Sequence, residues 1–188
     1  GTELLNVFEG RGLVGLAYYD AAPRSVYNVR RAISTPADMR GLKMRAPQSD
    51  IFLDTIRAMG ANPTPLTFGA VFSSLQTHLI DGAENNWPSY QSSRQFEVAR
   101  YLSLTEHSYS PDALLMSKAS LDAMAPGDRD LIRDVARRSV QVMRTEWDER
   151  ETKARETVMA DGVQVNTVDK DAFAAATRPV LDKYISEP

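Results

Sequence analysis

The feature that most constrains the fold is a helical pattern that runs without interruption from Pro126 to Gly162. A proline followed by an acidic residue is typical of a helix start, and a glycine often ends a helix. Between these limits apolar residues recur at three- and four-residue spacings, including Leu131, Ile132, Val135, Met143, Trp147, Ala154, Val158 and Met159. A helix of roughly 35 residues is about 50 Å long, which exceeds the width of a small lobe. The sequence therefore predicts a helix that connects two bodies.

Two short segments before this helix have the alternation of β-strands, and both lead to polar residues. In residues 42–46 apolar and basic side chains alternate, and Pro47 ends the segment because it lacks an amide hydrogen. Residues 80–84 form the second segment, and Asn85 follows it. Open α/β sheets bind ligands beyond the carboxyl ends of their strands, where the Arg45 guanidinium offers a rigid donor fork to a carboxylate. From spacing alone, a surface or ion-paired arginine is the alternative.

Sequence blocks around these strands are similar to those of a known family. The blocks cover residues 35–47 (TPADMRGLKMRAP), 59–65 (MGANPTP), 75–77 (LQT) and 81–85 (DGAEN). In this order they resemble the solute receptor of tripartite ATP-independent periplasmic (TRAP) transporters. The resemblance extends over residues 10–184, which is nearly the whole chain.

The resemblance implies an α/β fold like that of type II periplasmic binding proteins, in which two lobes enclose a cleft and a long helix bridges them. By this pattern residues 1–22 are a remnant of the first lobe, and residues 23–108 form the second lobe, which binds the ligand carboxylate. Residues 109–145 return to the first lobe with the first half of the long helix. Residues 146–188 contain the rest of that helix and the carboxyl-terminal part of the second lobe. We expect one near-complete lobe and part of the other, because the family has more of the first lobe before Gly1.

The resemblance also implies which side chains face the ligand. Arg45 stands at the position of the arginine that clamps the carboxylate, and Asn85 at that of the ligand-binding asparagine. Arg24 stands where the family has a second ligand-facing arginine, although the preceding residues depart from the family pattern. Phe68 corresponds to a residue that lies against the ligand. Trp87, close after Asn85, is interpreted as an aromatic wall for a sugar-like ligand.

Each of these assignments has a structural alternative. Arg24 could be a hinge arginine paired with Asp20, and Phe68 could pack in the core. An asparagine after a strand, such as Asn85, is a common turn former. Trp87 could cap the core at the start of a helix. The segment that follows Phe68 also lacks the acidic residue and the tyrosine that the family often carries there.

Periodicity and turn residues predict the remaining elements. Strands are predicted over residues 12–19, 24–29, 98–104, 113–117 and 163–166. Residues 62–66, with two prolines, are predicted to form a short edge strand or an extended loop. Helices are predicted over residues 48–59, 67–76, 88–95 and 169–183, the second of them capped by Thr67. Between strands 98–104 and 113–117, residues 105–108 resemble a turn that is common in the family, and the resemblance implies a turn there.

Composition argues against several classes of function. The chain has 188 residues, 43% of them hydrophobic, which is enough for a sizeable core. Its net charge of −3 gives no broad basic field for nucleic acid. The absence of cysteine excludes disulfides and thiolate metal sites. With no zinc spacing, phosphate loop or serine nucleophile elbow, we expect recognition without catalysis and no metal, cofactor or nucleic-acid partner.

The function implied by the resemblance is that of the periplasmic solute-binding component of a TRAP-type secondary transporter. Such a receptor holds an organic acid anion in its interlobe cleft and delivers it to membrane permease subunits, and its precursor carries a signal peptide. Arg45 is expected to clamp the carboxylate. The run of residues 85–87 (NNW) favours hydroxylated acids such as uronates, with C4-dicarboxylates as the other ligand class.

Two other functions stay open at this point. One is a small α/β enzyme on organic acids, with Arg45 binding substrate and Glu84 or His107 as the base. A hydrogen bond from Arg45 to either residue would favour it. The other is a structural or protein-interaction fragment that binds no ligand. A chain without the rest of the first lobe is expected to self-associate through residues 12–19 and the first half of helix 126–161, or to be a product of a longer chain.

Overall fold

The computed structural model describes residues 5–186, which divide into two compact units. The small unit contains residues 5–22 and Ser110–Thr152, and the large unit contains Pro23–Tyr109 and residues 153–186. Residues 1–4 and 187–188, which belong to the first and last predicted segments, lie outside the described residues. Both units combine helices with a sheet, so the predicted α/β class is confirmed.

The elements follow the predicted order along the chain. The strands are β1 (Leu13–Tyr19), β2 (Arg24–Asn28), β3 (Lys43–Ala46), β4 (Asn62–Pro65), β5 (Gly82–Asn85), β6 (Tyr101–Ser108), β7 (Asp112–Ser117) and β8 (Gln164–Thr167). The α-helices are α1 (Asp50–Ala58), α2 (Val71–Gln76), α3 (Trp87–Ser92), α4 (Lys118–Asp122), α5 (Pro126–Ala160) and α6 (Lys170–Ser186). Short 3₁₀ helices cover Glu9–Arg11, Pro36–Met39, Phe68–Ala70 and Gln95–Glu97.

In the small unit, β1 pairs with β7 in antiparallel fashion, with an irregular register between Gly15 and Ala17. The predicted long helix is confirmed as α5, a single helix of 35 residues. It belongs to the small unit up to Thr152 and to the large unit from Lys153. Several apolar side chains of α5 are exposed, namely Leu131, Val135, Val142 and Met159. The predicted self-association through this helix and β1 stays a prediction.

The large unit is built on a six-stranded sheet, formed within its described residues, in the order β4-β3-β5-β2-β6-β8. β3 runs parallel to β4 and to β5, whereas β2 runs antiparallel to β5 and β6. The carboxyl ends of β3 and β5 therefore lie beside the amino end of β2. We call this row of strand ends the edge of the sheet. Arg45, Asn85 and Arg24 are the residues at these ends, and Ser25 faces Asn85 in register.

Apolar side chains cover both faces of this sheet. Val26 and Tyr27 are neighbours on β2, so their side chains point to opposite faces. The Val26 cluster contains Ile33, Met39, Leu42, Met44, Ala46, Ile56, Met59, Ala61 and Phe173. The Tyr27 cluster contains Val71, Leu75, Ile80, Ala83, Trp87, Tyr90, Phe96, Ala99, Leu102, Ala154, Val158 and Val163. Since each fully buried large apolar side chain contributes roughly 1.5–3 kcal/mol, these clusters hold the strands that position the edge.

The structure corrects the prediction for strand 98–104 and the turn after it. β6 begins only at Tyr101, because a 3₁₀ helix over Gln95–Glu97 precedes it. Residues 105–108 continue β6 instead of forming a turn. Their polar side chains resemble a turn in sequence, but the Thr105 hydroxyl accepts a hydrogen bond from the Val26 amide and so replaces a missing ladder contact.

The predicted helix cap at Thr67 is also wrong. The Thr67 side chain makes no capping hydrogen bond, and the segment starts as the 3₁₀ helix Phe68–Ala70 before α2. The amide of Ala70 donates to the Thr67 carbonyl oxygen, so backbone replaces the side chain as the acceptor at this end.

Gly82 allows the close approach of β5 to its two neighbours. A Cβ at this position would lie 2.4 Å from the Tyr27 carbonyl oxygen and 2.7 Å from Met44 Sδ. We expect Gly82→Ala to lower the free energy of unfolding by about 1–3 kcal/mol, because strands must shift to admit the methyl group. Urea unfolding measures the change, with Gly69→Ala as the control because a Cβ there meets no atom within 4 Å. Equal stability of the two variants would contradict this packing.

Candidate functional site

Arg45 is a buried cation at the end of β3, with 5% of its surface exposed. Its Nε donates to the Leu66 carbonyl oxygen at 2.9 Å. Neither Nη atom has a hydrogen-bond or ion-pair partner among residues 5–186. Burial lowers the pKa of the guanidinium from its ordinary value, and the charge of Glu84 opposes that shift. The fork of Arg45 is therefore positioned by a backbone carbonyl, and its outer donors have no acceptor within the described residues.

Arg24 has its own counter-charge in Glu84. Its Nε lies 2.5 Å from Glu84 Oε2, and its Nη2 donates to Oε1 at 2.7 Å. Nη2 also donates to the Glu84 carbonyl oxygen at 3.1 Å. Asp20, the partner in the structural alternative for Arg24, belongs to the small unit, where its carboxylate lies 2.8 Å from Arg144 Nε. The fork of Arg24 is thus occupied, and its assignment to a ligand stays a prediction.

Asn85 is fixed with its amide nitrogen as a donor. Its side-chain oxygen Oδ1 accepts hydrogen bonds from Arg24 Nη1 at 3.0 Å and from the backbone N–H of Asn86 at 2.9 Å. Both acceptor positions of the carbonyl oxygen are then filled. The Nδ2 group has no partner within the described part of the chain. Together, Asn85 Nδ2 and the Nη atoms of Arg45 present donors without acceptors, which suits an anionic ligand.

A buried carboxylate lies behind these donors. The Glu84 side chain is fully buried, and His107 Nε2 lies 3.5 Å from its Oε2. Burial acts to raise the pKa of Glu84, but its hydrogen bonds with Arg24 and His107 and the charge of Arg24 outweigh it and hold that pKa below its ordinary value. Glu84 therefore stays ionised at neutral pH and cancels the charge of Arg24.

The two aromatic candidates lie in different environments. Phe68 is 44% exposed, and its ring centroid is 6.0 Å from Arg45 Cζ, so it does not pack in the core. Trp87 is buried in the Tyr27 cluster, with Arg155 Cζ 5.1 Å from its ring centroid. Trp87 thus packs in the core, as its structural alternative stated. The assignment of either ring to a ligand stays a prediction.

The geometry does not favour the enzyme hypothesis. Among the described residues, Arg45 makes no hydrogen bond to Glu84 or His107, which was the arrangement expected of an enzyme. Instead, Glu84 pairs with Arg24, and His107 lies beside Glu84. A carboxylate whose pKa is depressed by a bidentate arginine is a poor general base near neutral pH. The part of the chain that the structure describes also contains no cluster of acidic residues and histidines suited to a metal ion.

Sequence reasoning placed Arg45 and Asn85 at strand ends but missed the interactions that orient them. It did not identify Glu84 as the partner of Arg24, nor the Leu66 carbonyl as the partner of Arg45. Glu84 carried a weak signal, since it lies directly before Asn85 in a short buried strand. Nothing in the sequence indicated the Leu66 contact, because a residue of any type has a backbone carbonyl oxygen that can accept.

Comparison with known proteins identifies the family. Residues 1–187 match the family described as bacterial extracellular solute-binding protein, family 7, and the chain belongs to this family. The family predicted from the sequence blocks is confirmed. Among residues 5–186 the structure contains no helix of the length and apolar character that a membrane crossing requires.

Individual relatives agree with this membership. A solute-binding protein of Chromohalobacter salexigens is 38% identical over 100% of this chain and 56% of the relative. The structure of a TRAP periplasmic solute-binding protein of Bradyrhizobium with bound galacturonate is 50% identical, with a TM-score of 0.93, over 98% of this chain and 62% of that one. Another from Chromohalobacter salexigens, with bound glucuronate, is 38% identical with a TM-score of 0.96 over the same shares. The chain spans between half and two thirds of these relatives.

The Arg24–Glu84 pair makes a testable contribution to stability. Glu84→Gln leaves the partly buried guanidinium of Arg24 without its counter-charge, so we expect the free energy of unfolding at pH 7 to fall by up to about 3 kcal/mol. The pKa of Glu84 is lower in the folded state than in the unfolded state. The wild-type advantage is therefore complete above the unfolded pKa of about 4.3 and shrinks as the pH falls below it.

Urea unfolding of both chains between pH 7 and pH 3 measures this difference. Glu97→Gln is the matched control, since Glu97 pairs with Arg94 on the surface at 2.7 Å and exposed pairs contribute little. A stability difference for Glu84→Gln that does not change with pH would contradict the assigned ion pair.

Proposed function

We propose that this chain is the ligand-carboxylate part of a periplasmic solute receptor for uronates such as galacturonate and glucuronate. The observation that carries the proposal is the buried guanidinium of Arg45, whose Nη atoms have no partner within residues 5–186. The side-chain nitrogen of Asn85, which also has no partner among these residues, lies at the same edge of the sheet. Bound galacturonate and glucuronate in structures of TRAP periplasmic solute-binding proteins support this ligand class.

Arg45 recognises the carboxylate. A guanidinium held by its Nε presents its outer edge in a fixed plane, and a carboxylate fits that edge by parallel hydrogen bonds. Burial strengthens the attraction, because the effective dielectric constant near a buried charge is lower than that of water. Asn85 Nδ2 donates to a carboxylate oxygen or to an adjacent hydroxyl of the same ligand.

The charge balance of the edge favours one carboxylate over two. Glu84 neutralises Arg24, which leaves Arg45 as the cation without a counter-charge at this edge among the described residues. A uronate brings one carboxylate and several hydroxyls, so it fills this site without a second buried negative charge. The exposed ring of Phe68 beside Arg45 supplies an apolar surface for the C–H face of a sugar ring.

The place in the cell and the partner follow from the family. Membership in a family of extracellular solute-binding proteins supports a periplasmic location, and the names of the neighbouring structures support a role with TRAP transporters. We infer that the receptor delivers its uronate to the membrane permease subunits of such a transporter. This activity belongs to the whole receptor, of which the chain contains the part that binds the carboxylate.

Substitution of Arg45 tests the proposal directly. We expect Arg45→Lys to weaken galacturonate binding by about tenfold and Arg45→Ala by about 100-fold, because lysine keeps the charge but loses the planar fork. Isothermal titration calorimetry on the whole receptor that contains this chain measures both affinities. Arg57→Lys is the matched control, since Arg57 is an exposed arginine paired with Asp54.

Ligand controls separate the carboxylate from the sugar. We expect galacturonate and glucuronate to stabilise the chain against heat, by about 2.7 kcal/mol at 100 times the dissociation constant. Galactose, which lacks the carboxylate, and succinate, which has two, are expected to have little effect. Unchanged galacturonate binding by Arg45→Ala, or equal binding of galactose, would refute the proposed role of Arg45.

A further inference from the structure

β6 departs from regular pairing with β2 directly behind the binding edge. Arg24 faces Ser108 and Val26 faces Ser103, so one residue of β2 lies opposite four residues of β6. Glu106, within this bulge, has a φ of 46°, in the left-handed region that non-glycine residues seldom adopt. Bulges redirect side chains and occur beside functional sites. Within this bulge the side chains of Thr105 and His107 are buried.

The Thr105 hydroxyl has a defined set of partners. Thr105 is 4% exposed, and the Val26 amide donates to its Oγ1 at 3.2 Å. The same oxygen lies 2.8 Å from His107 Nδ1, and the described residues supply no further partner. An amide can only donate, so Oγ1 is the acceptor in the first contact. Its own proton then has one acceptor within reach, which is His107 Nδ1.

This contact determines where the imidazole carries its proton. If Nδ1 accepts from Thr105, the neutral ring is protonated at Nε2, which lies 3.5 Å from Glu84 Oε2. The other neutral tautomer would point a nitrogen lone pair at a buried carboxylate oxygen. That arrangement is repulsive, because the side chains of His107 and Glu84 are only 3% and 0% exposed.

We propose that Thr105 is a positioning residue of the binding edge, which fixes the Nε2–H tautomer of His107 and directs it at Glu84. His107 then holds the Oε2 atom that receives Arg24 Nε. Arg24 in turn donates to Asn85 Oδ1 and keeps the Asn85 amide nitrogen free. The consequence for affinity rests on the proposed uronate binding, whereas the tautomer does not.

Nitrogen-15 NMR of the histidine rings in the 188-residue chain tests the assignment. The chain has two histidines, and the exposed His78 serves as the internal reference for His107. In the wild-type chain we expect the chemical shift of His107 Nδ1 to be that of an unprotonated nitrogen and the shift of Nε2 to be that of a protonated one. Thr105→Val, which keeps the shape but removes the hydroxyl, is expected to give a mixture of tautomers. Thr105→Ser is expected to restore the wild-type pattern.

Galacturonate affinity provides the second readout. We expect Thr105→Val to raise the dissociation constant about fivefold to tenfold, since one buried hydrogen bond that orients the site is lost, and Thr105→Ser to restore it. A wild-type His107 protonated at Nδ1 would overturn the proposal, and this measurement needs no variant to fold. Thr105→Val with wild-type tautomer and affinity would overturn it as well. A whole receptor that binds no uronate, but whose His107 tautomer responds to Thr105→Val, would refute the uronate function and support the tautomer assignment.

Discussion

The ion pair between the partly buried Arg24 and the buried Glu84 is the interaction on which the proposed binding edge of the sheet depends. Two arginines lie at one edge of the sheet, and the edge would carry two positive charges if both were free. Because Glu84 takes both Nε and Nη2 of Arg24, a single uncompensated guanidinium remains there among the described residues. The pair also turns Arg24 Nη1 toward Asn85 Oδ1, which leaves the asparagine with a free donor. One ion pair thus sets both the charge and the donor character of the edge.

The directions of three neighbouring strands bring Arg24, Arg45 and Asn85 to the same edge of the sheet. β3 and β5 run parallel, so their last residues reach the same edge, and β2 runs against them, so its first residue arrives there too. Gly82 lets these strands approach closely, and the two apolar clusters hold them from both faces. The rigid sheet therefore orients polar side chains that would cost more conformational entropy to fix on loops.

The sequence predicted helices and strands whose positions follow from the spacing of apolar residues and from the residues at their ends. The long helix α5 and the strand that ends near Arg45 were predicted within a few residues, because apolar periodicity and the residues at their ends specify them. The partner of Arg24 was not predicted, since it depends on the register between β2 and β5, which are far apart in the chain. The bulge in β6 was mistaken for a turn, because polar residues that satisfy backbone groups inside a sheet look like turn formers in sequence.

We propose that Arg45 and Asn85, and not Arg24, make the direct contacts to the ligand carboxylate. A crystal structure of the whole receptor with galacturonate would show these contacts. We expect the carboxylate oxygens within about 2.7–3.0 Å of Arg45 Nη atoms and of Asn85 Nδ2, with the Arg24–Glu84 pair intact. A carboxylate bound to Arg24 after separation of that pair, or a ligand that does not touch Arg45, would refute the proposed role of Arg45.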